Sequence, residues 1–377
     1  MPDSAQSLSV RTLVTADGTV EVSLEDVPVQ APGTDQVVVR VEAAAVNPSD
    51  LGVLFAGADL ERAEAVTRGG RPALVAPLSK GAARAAAGRA GQPLTAGNEA
   101  AGTVIAAGSS EAAQALMGKV VGLIGGAMYT ELRCIDVRAC QPFPEGTTAA
   151  HGAGWFINPM TASAMLGTMR AEGHSAIVHT AAGSSLGRMV LRLCLEDGVG
   201  LVNVVRRAEP AAELRAAGAA HVCDSSSSAF SEELADAVAA TGATLAFDAL
   251  GGGELIDQIL DAMERAQMRG RPFDRYGSTT HKQAYVYGGL DRSPTMLRRT
   301  YGMAWGVGGW LLYPALQRLG GEAAAEMQAR VAAEVTTTFA TSFTAAIGLS
   351  GVVDPETVRA YGQARTGGKH LVDPRLP

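Results

Sequence analysis

The residues best placed to do chemistry lie in IVHTAAGSSLGRMVLRL, which is followed by LVNVVRRAE. An apolar run ends in a bend of small residues and passes into a helical pattern, whose first N–H groups can hold a phosphate. A G-x-G-x-x-G pattern aligned on Gly187 puts Ala182 and Ser184 at its other two positions. Small residues there still let the backbone approach a pyrophosphate, and Ser185 and Leu186 complete the bend. Roughly twenty residues further on, sites that take an unmodified ribose carry Asp or Glu. This chain has Arg206 and Arg207. A carboxylate would repel a 2′-phosphate, whereas a guanidinium pairs with it in a fork. The expected cofactor is NADPH; the alternative is that both arginines only solvate a strand end.

Other chemistries find less support. His151, His174, His179, His221, His281 and His370 show no metal spacing, and the His174–His179 interval crosses into a strand. No C-x-x-C links Cys134, Cys140, Cys194 and Cys223, which read as small buried residues of a reducing cytoplasm. The G-x-S-x-G elbow of a serine hydrolase is missing where a strand and helix would need it. A net charge of −7 and a pI near 5.5 argue against nucleic-acid or anionic-membrane partners. The start, MPDSAQSLSV, lacks the order of a signal peptide, and the apolar stretch 302–316 is broken by glycines and a proline. That stretch is expected to be a buried loop and helix start.

The elements that must position these residues follow from periodicity. TVEVSLEDVPV and DQVVVRVEAAAVN read as strands, as do residues 97–107, KVVGLIGG and YTELRCI, and together they suggest a compact, barrel-like β domain. Between them, 57–94 is alanine- and arginine-rich and is expected to carry one or two short helices over the surface, as a lid or a solvated excursion. From residue 155 apolar strands alternate with helix-length segments, the pattern of a doubly wound parallel sheet. After 310 the sequence predicts a helix, a TTTFATSFT strand, a short helix near 355–361 and a closing GKHLVDP strand.

VNPSD, GNEAAGTV, NPMTASAML, HTAAGSSLG and TGGKHLVDP, in this order, resemble the zinc-independent branch of the medium-chain dehydrogenase/reductase superfamily. That branch includes quinone oxidoreductases and 2-enoyl thioester reductases. The resemblance implies an α/β chain: a GroES-like β-rich catalytic domain over 1–155, completed by 310–377, and a Rossmann domain over 156–309, with the active site in the cleft. Zinc-dependent relatives carry Cys and His ligands near the segments matching VNPSD and GNE. Here those places hold Val46, Asn47 and Ser49, then Gly97, Asn98 and Glu99, and Asp50 with Glu99 makes a poor zinc set. No metal is expected.

Carried over, the resemblance places Asn47 near the nicotinamide and Thr161 beside the cofactor. Ser184, Ser185, Leu186 and Gly187 would line the pyrophosphate, with Arg206 and Arg207 at the 2′-phosphate. Gly288, Gly289 and Leu290 would lie by the carboxamide, and Lys369 near the cofactor. Enoyl thioester reductases resembling this chain use a tyrosine soon after the NPSD-type motif, and LGVLFAGADL has none. Tyr129 is the best remaining phenol for the proton that reduction of an activated alkene requires; it also reads as an aromatic packing a β turn. Tyr285 and Tyr287 read as packing groups. The expected function is NADPH-dependent reduction of a small enone or quinone. A 2-enoyl thioester reductase and a non-catalytic NADPH-binding sensor are the alternatives. A homodimer joined through the Rossmann part, at 284–290 and GMAWGVGGWLLY, is the expected assembly.

Overall fold

The computed structural model describes residues 5–362 and 369–377. Residues 1–4 of MPDSAQSLSV and 366–368 of TGGKHLVDP lie outside the described residues. The chain divides into two compact units, Met1–Ile157 with Arg330–Pro377, and Asn158–Ala329. The second unit thus runs past the boundary at 309 read from the sequence.

Two sheets build the first unit. In the five-stranded sheet the order is Glu64–Arg68, Arg71–Pro77, Thr19–Val29, Ala5–Val14 and Leu94–Thr95. The seven-stranded sheet runs Cys140–Pro142, Val120–Ile124, Glu99–Ala107, Gln36–Ala45, His370–Val372 and Ala345–Ile347, with Leu132–Asp136 also paired to Gln36–Ala45. Val22, Val39, Leu54, Leu74, Val104 and Leu123 meet in its core. The segment 57–94 departs from expectation. Besides the short helix Lys80–Ala86 it contributes a hairpin, Glu64–Arg68 with Arg71–Pro77. Gly69 and Gly70, both at positive φ, supply the two-residue turn whose twist matches a hairpin. TTTFATSFT is not a strand either. Turn bonds close Phe339 onto Glu334 and Ala340 onto Thr337, so local carbonyls satisfy these N–H groups, and the strand Ala345–Ile347 begins after them.

The second unit is a six-stranded parallel sheet. Its order is His221–Asp224, Gly200–Val205, Ala176–His179, Leu245–Asp248, Lys282–Val286 and Trp305–Gly309. The order reverses between Ala176–His179 and Leu245–Asp248, the switch point at which such sheets open a crevice beyond their strand ends. Helices such as Ser185–Glu196, Phe230–Thr241 and Leu255–Met268 pack on it, and Val178, Val202, Leu234 and Ile259 are fully buried. In the 302–316 stretch the expected helix start is present as Leu312–Leu319, but the expected loop is corrected, because Trp305–Gly309 is the sixth strand. Its glycines conceal the strand signal, because they carry no side chain to alternate.

Candidate functional site

In the second unit the strand Ala176–His179 ends at Thr180, and the chain bends through Ala181, held at φ 50°, into the helix Ser185–Glu196. Ser184 Oγ accepts the Gly187 N–H at 3.1 Å and caps that helix. A Cβ on Gly187 would stand 2.2 Å from the Ala182 carbonyl oxygen, so only glycine lets helix and bend approach this closely. Thr180 Oγ1 donates to Asp248 Oδ1 at 2.7 Å, and Asp248 Oδ2 accepts the Gly251 N–H at 2.7 Å. These bonds tie two strand ends together at the switch point; neither residue was singled out in the sequence.

Arg206 and Arg207 follow the strand Gly200–Val205 and are exposed. Arg206 lies near Asp291, whose carboxyl is held low mainly by Ser293 and in lesser part by that guanidinium. Thr161 is buried in the helix Ile157–Ala171. Gly288 packs backbone against backbone, since a Cβ there would lie 2.5 Å from the Ala249 oxygen. Gly289 meets nothing, and Leu290 is exposed. A cavity of about 330 Å³ is lined by Val286, Tyr287, Gly288, Trp310, Leu311 and Arg318, among others. Tyr287 bonds His179 Nε2 at 3.0 Å and stacks on its ring, while burial pulls that imidazole's pKa down to about 4. Tyr285 bonds Glu172 at 2.8 Å.

In the first unit a buried polar cluster gathers residues from four segments. Asn47 precedes the helix Pro48–Phe55, its N–H donates to Asp50 Oδ2 at 2.8 Å, and its Nδ2 donates to Glu99 Oε1 at 2.8 Å. Lys369 Nζ lies 3.9 Å from the same Glu99 oxygen. Among the described residues, the buried atoms Lys369 Nζ and Thr341 Oγ1 have no hydrogen-bond partner, whereas the Asn47 side chain faces the Asp50 N–H in a capping box. Gly154 leaves space there: a Cβ would stand 3.1 Å from Lys369 Nζ and 3.4 Å from Thr341 Oγ1. Burial pushes the Asp50 carboxyl up to about 6, with Glu99's charge adding and the Asn47 and Asn98 N–H bonds opposing. Burial draws the Lys369 ammonium down, against the pull of Glu99 and Asp50.

Tyr129 is almost fully buried and donates to the Ala45 carbonyl at 3.1 Å, and burial with the Asp50 charge raises its phenol far above the ordinary range. It also borders a groove of about 300 Å³ with Thr95, Arg11, Arg133 and Cys134. All four cysteines are free thiols, and three of them are buried. Among the described residues no three His, Cys, Asp or Glu side chains converge as a ligand set. Nor is any described helix long and apolar enough to cross a membrane.

No known family description and no curated protein matches the chain. Solved structures do. A protein assigned as an NADPH:quinone reductase from Mesorhizobium loti is 24% identical, covering 99% of both chains at a TM-score of 0.68. A mutant form of enoyl thioester reductase from Candida tropicalis is 16% identical, covering 98% of this chain and 100% of its own, also at 0.68. A mycobacterial protein complexed with NADPH is 16% identical over 98% of this chain and 100% of its own, at 0.65. The chain therefore shares its fold, over nearly its whole length, with these solved quinone reductase and enoyl thioester reductase structures.

Proposed function

We propose that the chain is an NADPH-dependent, zinc-independent oxidoreductase that reduces a small enone or quinone. The observation that carries this reading is the bend at 180–187, closed by the Gly187–Ala182 contact at the switch point, with two arginines ending the next strand. The NADPH named for the mycobacterial neighbour supports the same cofactor here. The N–H groups of Ser185 and Leu186, which no carbonyl of their own helix can reach, would hold the pyrophosphate beside Ser184 and Gly187. Arg206 and Arg207 would pair with the 2′-phosphate. Gly288, Gly289, Leu290 and Thr161 would border the nicotinamide end. Asn47 and Lys369 are proposed as further cofactor-binding residues; among the described residues the buried Lys369 Nζ has no hydrogen-bond partner.

Bound there, NADPH supplies a hydride. The protein orients the cofactor, excludes water and holds the proton that completes the reduction. Tyr129 is the proposed phenol. Tyr129→Phe abolishing turnover in a folded protein supports that role, and unchanged turnover dismisses it. Following NADPH absorbance with quinones, enones and enoyl thioesters tests the whole reading. Turnover of enoyl thioesters alone favours the thioester reductase, and binding without oxidation of NADPH by any acceptor favours the sensor. A cytoplasmic homodimer is the proposed state. The edge strand Trp305–Gly309, with Met303, Leu311 and Tyr313 exposed around it, supports pairing between two copies.

A further inference from the structure

The groove of about 300 Å³ beside Tyr129 lies wholly within the first unit, and its volume is at the lower end for small-molecule sites. Residues of the strands Ala5–Val14 and Thr19–Val29 line it on one side and residues of Leu132–Asp136 on the other. Val27, Pro28, Val29 and Leu132 give it an apolar wall; Arg11 and Arg133 line it too, and no Asp or Glu does. Both arginines are short of acceptors. The Nε of each is buried and makes no hydrogen bond among the described residues. Arg133 donates one N–H to the Cys134 carbonyl at 3.3 Å and has no ion-pair partner among the described residues. Arg11 has one, Glu25, but that carboxylate is half exposed and stands 3.6 Å from Nε, too far for a hydrogen bond and screened by water. A guanidinium N–H withdrawn from water without an acceptor is costly, and a carboxylate or phosphate is the group that answers it best.

We propose that this groove binds a small organic anion, with its carboxylate or phosphate oxygens held by Arg11 and Arg133 and its apolar body against Val27, Pro28, Val29 and Leu132. The site is independent of the cofactor reading above. Cys134 reports on it, because it lines the groove and is the one cysteine of the four that is not buried. Burial pushes the other three thiols up to about 11 or 12, so they react far more slowly with a thiol reagent.

The test is binding of benzoate and phenyl phosphate by the whole chain, with benzamide as an uncharged control of the same body. Calorimetry gives the affinities, and the slowing of Cys134 alkylation by iodoacetamide, read by mass spectrometry, places the ligand. An anion is expected to bind and protect Cys134, with benzamide roughly tenfold weaker or more, the scale of one charge-assisted hydrogen bond. Preference for phenyl phosphate assigns the groove to phosphate esters, and preference for benzoate assigns it to carboxylates. Arg11→Gln and Arg133→Gln should each weaken the anion roughly tenfold or more. Arg133→Lys, which keeps the charge but lacks the Nε–H, should weaken it too and serves if the uncharged variant does not fold. Glu25→Gln removes the competing carboxylate and should tighten the anion about twofold to fivefold. Protection should persist in Arg206→Ala/Arg207→Ala, which separates this groove from the proposed cofactor site, so a failure of NADPH binding leaves the result standing. Absence of protection by both anions, equal protection by benzamide, full anion affinity in the Arg11 and Arg133 variants, or protection lost with Arg206 and Arg207 overturns the proposal.

Discussion

Replacing Gly187 by alanine tests how the bend is built. The added Cβ would sit 2.2 Å from the Ala182 oxygen and 2.6 Å from its carbonyl carbon and Cα, whereas ordinary contact begins at 3.4 Å. All three atoms are backbone, so no rotamer change relieves the clash, and the helix start must retreat by about 1 Å. Overpacking of this kind costs roughly 1–3 kcal/mol. Moving the helix start also stretches the Ser184 cap, worth about 1 kcal/mol. A loss of roughly 2–4 kcal/mol is expected in chemical denaturation of the second unit, with weaker NADPH binding in the protein that remains folded. Gly289→Ala is the stability control, since its Cβ would meet nothing within 4 Å. Equal stability for the Gly187 and Gly289 variants would refute the packing argument.

Two further experiments probe buried charge. Lys282 is fully buried and donates to Glu264 at 2.6 Å, Ser278 at 2.8 Å and the Thr280 carbonyl at 3.1 Å. Lys282→Met should cost roughly 3–5 kcal/mol in urea melts, and adding Glu264→Leu should return much of it. Asp50, raised from 3.8 to about 6, binds its proton more tightly in the folded chain. Its contribution is fully present below pH 3.8 and is lost as pH rises through 6, about 3 kcal/mol in all. The stability difference between the natural protein and Asp50→Asn, measured from pH 4 to 7, should therefore drift in favour of the variant as pH rises. A flat difference would contradict the shift.

Much of the second unit is legible in the sequence because buried parallel strands such as AIVH and LAFD are unbroken apolar runs between helical patterns. The edge strand Trp305–Gly309 hides among glycines, and the hairpin at 64–77 hides because four of the five side chains in Glu64–Arg68 face solvent, leaving no apolar alternation to read. Its one clear signal is the Gly69-Gly70 turn. In the site, the bend and its arginines can be read from local order alone. Glu99 could have been found as well: an acid inside the small, apolar run GNEAAG must be buried with partners if that run is a core strand. Which partners it has depends on segments 47–50, 156–157 and 369, which only folding brings together. The His179–Tyr287 pair is hidden for the same reason, since 108 positions separate its members.

Arg206 and Arg207 are proposed to read the 2′-phosphate of a phosphorylated dinucleotide. Dissociation constants for NADPH and NADH, measured by titration calorimetry on the natural chain and on Arg206→Ala/Arg207→Ala, test this directly. At least a tenfold loss is expected for NADPH, on the scale of ~1.5–3 kcal/mol per charged contact, with NADH nearly unchanged. Equal losses for the two, or no preference for NADPH in the natural chain, would contradict it.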